Sequence, residues 1–193
     1  MSYIEDGTGK GFKAKVSSRN HLQVDSVSIA EITSCSSNEG GAYKIHLGRT
    51  VAAAATIEEI GHITYNGDYQ LQIHSFMVSR EDVALNSTGQ ALVNITTGST
   101  YSSGGSVITP LNMNLSSTNI LNSAVYSGSV TLVTDNTNDE IIADIAINDA
   151  FNVTLDGSII LKKGDTVAFR GKSKNIGDIL HVVMAVYEVK EVI

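Results

Sequence analysis

Tryptophan is absent from this 193-residue chain, and cysteine and proline occur once each, as Cys35 and Pro110. A lone cysteine excludes an intramolecular disulfide and any zinc site built on several thiolates. One proline against 17 glycines excludes collagen-like and proline-rich linker architectures. Charged residues make up only 17% and hydrophobic residues 42%, the reverse of a disordered chain. A chain of this length buries a core without staples. No apolar run approaches the roughly 20 residues of a membrane-spanning helix. The net charge of −7 argues against general nucleic-acid binding, which needs a basic face. The opening Met1-Ser-Tyr-Ile-Glu-Asp-Gly lacks the charged-then-apolar pattern of a secretion signal, and Ser2 stands where N-myristoylation needs glycine. Synthesis in a reducing cytoplasm is the expectation. The Asn-x-Ser/Thr triplets at Asn86, Asn94, Asn114 and Asn152 are then chance in a Ser/Thr/Asn-rich chain.

Cations are missing from the whole stretch between Arg80 and Lys162, which carries eight carboxylates, among them Asp135, Glu140 and Asp144. Lys10, Lys13, Lys15 and Arg19 crowd the first twenty residues. One end or face is therefore expected to be acidic and the N-terminal segment locally basic. Residues 1–23 read as an arm. Gly7, Gly9 and Gly11 alternate with polar residues, and Ile4, Phe12 and Val16 are the sizeable apolar groups. Such a stretch cannot fold alone. It is either a frayed terminus or an arm that orders on a partner, with Phe12 and Val16 as apolar anchors and Lys10, Lys13, Lys15 and Arg19 as the cations.

From Val24 onward the hydrophobic period is two. Tyr43, Ile45 and Leu47 alternate with Lys44 and His46; Leu71, Ile73 and Ser75 with Gln70, Gln72 and His74; Ala91, Val93 and Ile95 with Leu92 and Asn94. Residues 141–147 and 180–189 are apolar on both faces, as buried central strands are. Turn signals separate these runs, as at Asn66-Gly67-Asp68 and Lys163-Gly164-Asp165. Strands are expected over about 24–33, 42–47, 56–65, 69–80, 90–96, 106–109, 124–134, 140–148, 151–161, 165–170 and 179–189. The alanine run makes Val51–Ile60 the one helix candidate, weakened by Thr56 and Ile57. The pattern predicts an all-β protein, a jelly-roll β-sandwich over 24–193 behind an extended N-terminal arm over 1–23. Thr97 to Ser123 reads as one long loop. Its apolar Leu111, Met113 and Leu115 imply that it packs on something, either its own sandwich or a neighbouring copy. A homo-oligomer is the expectation, with these three as candidate interface residues.

Chemistry is sparse. None of the five histidines makes an H-x-H or H-E-x-x-H pair, although His46, His62 and His74 lie on different strands and have a route to one sheet face. Gly-x-Ser-x-Gly is absent. Cys35 has no evident activating base. The Gly-Thr-Gly-Lys-Gly run at 7–11 lacks the spacing and the helix of a phosphate loop. Asp135–Glu140 departs from the EF-hand pattern and reads as an acidic hairpin loop. No cofactor, metal site or catalytic set is expected. The rival reading is a polysaccharide-active enzyme using carboxylates such as Asp144 or Glu140.

Three blocks carry a likeness: Asp6 to Asp25, the Gly-Gly-Ser-Val-Ile-Thr-Pro110-Leu-Asn-Met-Asn-Leu-Ser-Ser run, and Gly157 to Phe169 with the ending Val-Val-Met-Ala-Val-Tyr-Glu188. In pattern and order the chain resembles capsid decoration (cement) proteins, small structural proteins of tailed-bacteriophage virions. The resemblance implies a jelly-roll homotrimer on the outer capsid surface whose N-terminal arm grips the major capsid protein, with no membrane and no nucleic-acid partner. The chain is larger than the smallest cement proteins, by the 97–123 segment. That leaves open a tail-fibre or head-fibre module that binds a host receptor or glycan.

Overall fold

The computed structural model describes residues 3–5, 13–16, 22–23, 41–82, 91–133, 140–145 and 150–189. The chain divides into two compact units, Met1–Ile32 and Thr33–Ile193. In the first, β1 (Tyr3–Glu5), β2 (Lys13–Val16) and β3 (Leu22–Gln23) pair antiparallel in chain order. Tyr3 faces Lys15, and Val16 faces Leu22. The stretch expected as an extended arm thus carries paired strands, because Lys13-Ala14-Lys15-Val16 has a strand's own period. The expected strand at 24–33 lies outside the described residues.

Among the described residues the second unit holds eleven strands: β4 (Ala42–Thr50), β5 (Glu58–Tyr65), β6 (Gln70–Glu81), β7 (Ala91–Thr97), β8 (Tyr101–Val107), β9 (Leu111–Asn112), β10 (Ser123–Leu132), β11 (Glu140–Ile145), β12 (Ala150–Leu161), β13 (Thr166–Ser173) and β14 (Ile179–Val189). They form two antiparallel sheets, ordered β11-β7-β13-β5-β10-β8 and β12-β6-β14-β4-β9. The protein is all-β, a β-sandwich. Alternation places the core: Tyr43, Ile45 and Leu47 of β4 are buried while Lys44 and His46 face solvent, and Ala91, Val93 and Ile95 of β7 behave likewise. Phe76 and Phe169 meet edge-to-face between the sheets, with ring centroids 6.0 Å apart. Gly61 lets the sheets approach, since a Cβ there would lie 2.8 Å from the Tyr126 carbonyl oxygen and 2.9 Å from Leu47.

Four expectations are corrected. Val51–Ile60 is not a helix. Glu58 turns back and accepts the amide protons of Ala52 (2.9 Å) and Ala53 (2.7 Å), while Arg49 donates to it at 2.7 Å. The bond that would define the helix is not made, because the Ala55 amide donates to the Ser173 carbonyl at 2.7 Å and the Val51 carbonyl accepts from the Gly177 amide at 2.9 Å, and Ala55 sits at φ 56°. In β6 the inward face runs Leu71, Ile73, Phe76, Val78, Arg80, not Leu71, Ile73, Ser75. An extra residue between the pairs Ser75–Ala185 and Ile73–Val186 reverses the phase. The segment 97–123 is not one loop, because it carries β8 and β9. Glu140–Ile145, read as central, lies at a sheet edge.

At one end of the sandwich Arg80 reaches from β6 to Asp178, which opens β14. The guanidinium and the carboxylate are fully buried, with contacts of 2.7 and 2.9 Å. The Ser173 hydroxyl, at the end of β13, also bonds to Asp178, so one carboxylate ties both sheets together.

Candidate functional site

The feature that departs from a minimal sandwich is the insertion β8–β10. After β7 the chain runs up β8, crosses to β9 on the other sheet and returns along β10. Gly104 and Gly105, at φ 79° and 73°, shape β8 against the bulged β10, where Gly128 is at φ 93°. A Cβ at Gly104 would collide with the Ser129 carbonyl oxygen. Tyr101 stacks on Tyr126 with ring centroids 3.9 Å apart and planes 7° off parallel. β9 is tied to β4 through Leu111–Lys44 and Asn112–Tyr43, and the Met113 amide donates to the Ala42 carbonyl at 2.9 Å. Beyond it, the Asn112 and Asn114 carboxamides accept the amides of Asn114 (2.9 Å) and Ser116 (3.1 Å). These local turns fix the segment without burying it.

Its apolar side chains point outward. Leu115 is 88% exposed, Val107 and Ile120 76%, Leu111 59% and Met113 48%, whereas Leu121 is buried. The three residues singled out as interface candidates, Leu111, Met113 and Leu115, therefore do not close the end of their own sandwich. Beside Met113 a groove of about 340 Å³ runs over the outer face of the five-stranded sheet, lined by Met77, Val183, Ala185 and Lys44. The outer face of β14 is thus half-exposed, where a doubly buried strand was expected.

Of the expected arm residues, Lys13, Lys15 and Val16 stand on β2. Lys10, Phe12 and Arg19 lie outside the described residues, as do Cys35 and 135–139. Glu140 and Asp144, the carboxylates of the rival reading, are on the edge strand β11 opposite Ile95 and Leu92.

The described carboxylates with close partners serve structural contacts. Burial works to raise the Glu58 carboxyl, but the Arg49, Ala53 and Ala52 donors win and hold it below its ordinary value. Asp178 is taken by Arg80 and Ser173, and Asp68 pairs with Lys163 at the surface. An open cleft of about 580 Å³, of mixed polar and apolar lining, lies between Thr97–Thr100, Ile159–Leu161 and Gly164–Thr166.

The histidines do not meet as the sequence suggested. His62 is buried, donating through Nε2 to the Ser99 carbonyl at 3.0 Å, and its Nδ1 has no hydrogen-bond partner. Burial lowers its pKa, partly offset by the Ser99 bond. His74 packs edge-on against Tyr187. His46 instead meets His181, with Nε2 and Nδ1 3.1 Å apart, a pairing visible only once β4 and β14 are known to be neighbours. Among the described residues no three His, Cys, Asp or Glu side chains gather as a metal cluster, and no helix is long and apolar enough to cross a membrane. Compared with known proteins, the chain matches no family model, no curated protein and no solved structure.

Proposed function

We propose that this chain is a non-enzymatic structural protein of a tailed-phage virion, a jelly-roll homotrimer that decorates the outer capsid surface and grips the major capsid protein through its N-terminal segment. The observation that carries the reading is the exposed apolar insertion. Leu111, Met113 and Leu115, flanked by Val107 and Ile120, hold large side chains in water on a segment fixed by its own hydrogen bonds. Surfaces of that kind are built to be covered.

Strand order supports the jelly-roll part. Numbering β4, β5, β6, β7, β11, β12, β13 and β14 as one to eight, the sheets run 1-8-3-6 and 2-7-4-5, the order of two Greek keys in a jelly roll. β8–β10 is then an insertion between the fourth and fifth strands. Lys13, Lys15 and Val16 of β2, with Lys10, Phe12 and Arg19 flanking it in sequence, make up the gripping segment. Three copies of a weakly binding segment on one trimer act by avidity.

The test is immunogold labelling and cryo-EM of the particle. Signal over the head surface is expected, and particles without this protein refute the reading. Protein lacking residues 2–23 should no longer decorate heads; decoration at full strength would refute the gripping role. The open cleft beside Ser99, which mixes Thr97, Thr100 and Asp165 with Ile159 and Ile160, favours a second reading, a glycan-binding fibre module, and signal at a tail tip would favour it. Turnover of a polysaccharide lost in Asp144→Asn or Glu140→Gln would replace both with an enzyme.

A further inference from the structure

We propose that His46 and His181 chelate a divalent first-row transition ion of the Zn²⁺, Ni²⁺ or Cu²⁺ class on the outer face of the five-stranded sheet, with Glu81 orienting His181. The inference stands apart from the virion reading. The two imidazoles come from neighbouring antiparallel strands. His181 of β14 faces Gly48 of β4, and His46 faces Val183, so the histidines are diagonal neighbours on one sheet face. Gly48 leaves them room to meet, because a Cβ there would press on His181 Nδ1 at 3.2 Å.

His46 Nε2 and His181 Nδ1 stand 3.1 Å apart; a cation about 2.0–2.1 Å from both would subtend roughly 95–100°. That lies between the octahedral and tetrahedral angles, the range such ions accept. The far nitrogen of His181, Nε2, faces the Glu81 carboxylate at 3.6 Å. That is beyond hydrogen-bond length, so the carboxylate acts through its charge, favouring the proton on the far nitrogen and leaving the near lone pair free. Without metal, a single proton bridges the two near nitrogens. With metal, His46 carries its proton on Nδ1 instead, so two neutral imidazoles take up the ion with no net proton release. Water completes the coordination shell.

Isothermal titration of the full chain with ZnCl₂ at pH 7.5, repeated with NiCl₂, tests the site. One ion per chain is expected. His46→Ala and His181→Ala should each weaken binding more than about tenfold, and Glu81→Gln by about tenfold. His74→Ala should leave it unchanged. All these side chains face outward, and circular dichroism checks that each variant folds. In the unaltered chain, Ni²⁺ should broaden the ring NMR signals of His46 and His181 before any others, a readout that needs no variant. Absence of saturable binding, binding that survives both alanine substitutions, or broadening that spares these two rings would each overturn the proposal.

Discussion

The buried Arg80–Asp178 pair offers the sharpest test of how the sandwich is held shut. Both side chains are fully buried, and the guanidinium contacts the carboxylate at 2.7 and 2.9 Å. Asp178→Asn keeps the shape and removes the charge that faces the buried guanidinium. Breaking such a pair from one side costs about 3–5 kcal/mol, against a total stability of roughly 5–15 kcal/mol for a domain. At roughly 2–4 °C per kcal/mol for a chain of this size, Tm should fall by about 6–20 °C. Thermal melts by circular dichroism and urea denaturation give both quantities, with the slope m unchanged if the native fold persists. Arg80→Met combined with Asp178→Leu removes both charges. It should recover at least half of the loss, the remainder being the Ser173 hydroxyl left without its acceptor. A loss below about 1 kcal/mol for Asp178→Asn, or a double variant as unstable as the sum of the two single ones, would show that the ion pair is not what closes this end.

Replacing Leu111, Met113 and Leu115 together by serine should convert the proposed oligomer to a monomer in analytical ultracentrifugation, with about 0.5 kcal/mol or less of stability change at each exposed site; a monomeric parent chain would refute this outright. Gly61→Ala should cost about 1–3 kcal/mol in urea denaturation, because its methyl group meets backbone as well as the Leu47 side chain. Burial holds His62 below its ordinary value of 6.5, so between that value and the folded one the unfolded chain binds more protons. Stability should be complete above pH 6.5 and fall as the pH drops below it, with a shallower fall in His62→Gln. Stability that rises on acidification from pH 7.5 to 5.5 would contradict the burial argument.

Alternation made much of the fold legible. β4 and β7 bury the residues that their period of two assigns inward, and the all-β class follows from many such runs. What local pattern missed has local causes that act at a distance. The phase of β6 reverses at a bulge that one side of the strand alone cannot reveal. The alanine run looks helical, but the Val51 carbonyl and the Ala55 amide are taken by Gly177 and Ser173, far along the chain. Gly104-Gly105 reads as a loop, yet its left-handed glycines fit a strand against the bulged β10. His46 and His181 are 135 residues apart, and Arg80 and Asp178 are 98 apart. Only the neighbour relation of β4, β14 and β6 joins these pairs. The outward aim of Leu111, Met113 and Leu115 was half legible: their presence signalled packing, but not that their own sandwich leaves them uncovered.

The place of β14 has a consequence for how the chain is made. β14 lies between β4 and β6, with Tyr187 opposite both Ala42 and Gln72. A ribosome that has released everything up to residue 178 has made β4 and β6 with a one-strand gap between them, each presenting an open backbone edge and the apolar residues of its inward face. Folding therefore commits late and through contacts distant in sequence, the regime of slow, millisecond-to-second β-topologies. During that interval the two edges are templates for another chain's strand. A product terminated shortly before residue 179 should not be a slightly shorter sandwich but an aggregating one, and crowded synthesis of many copies would place a premium on finishing the chain.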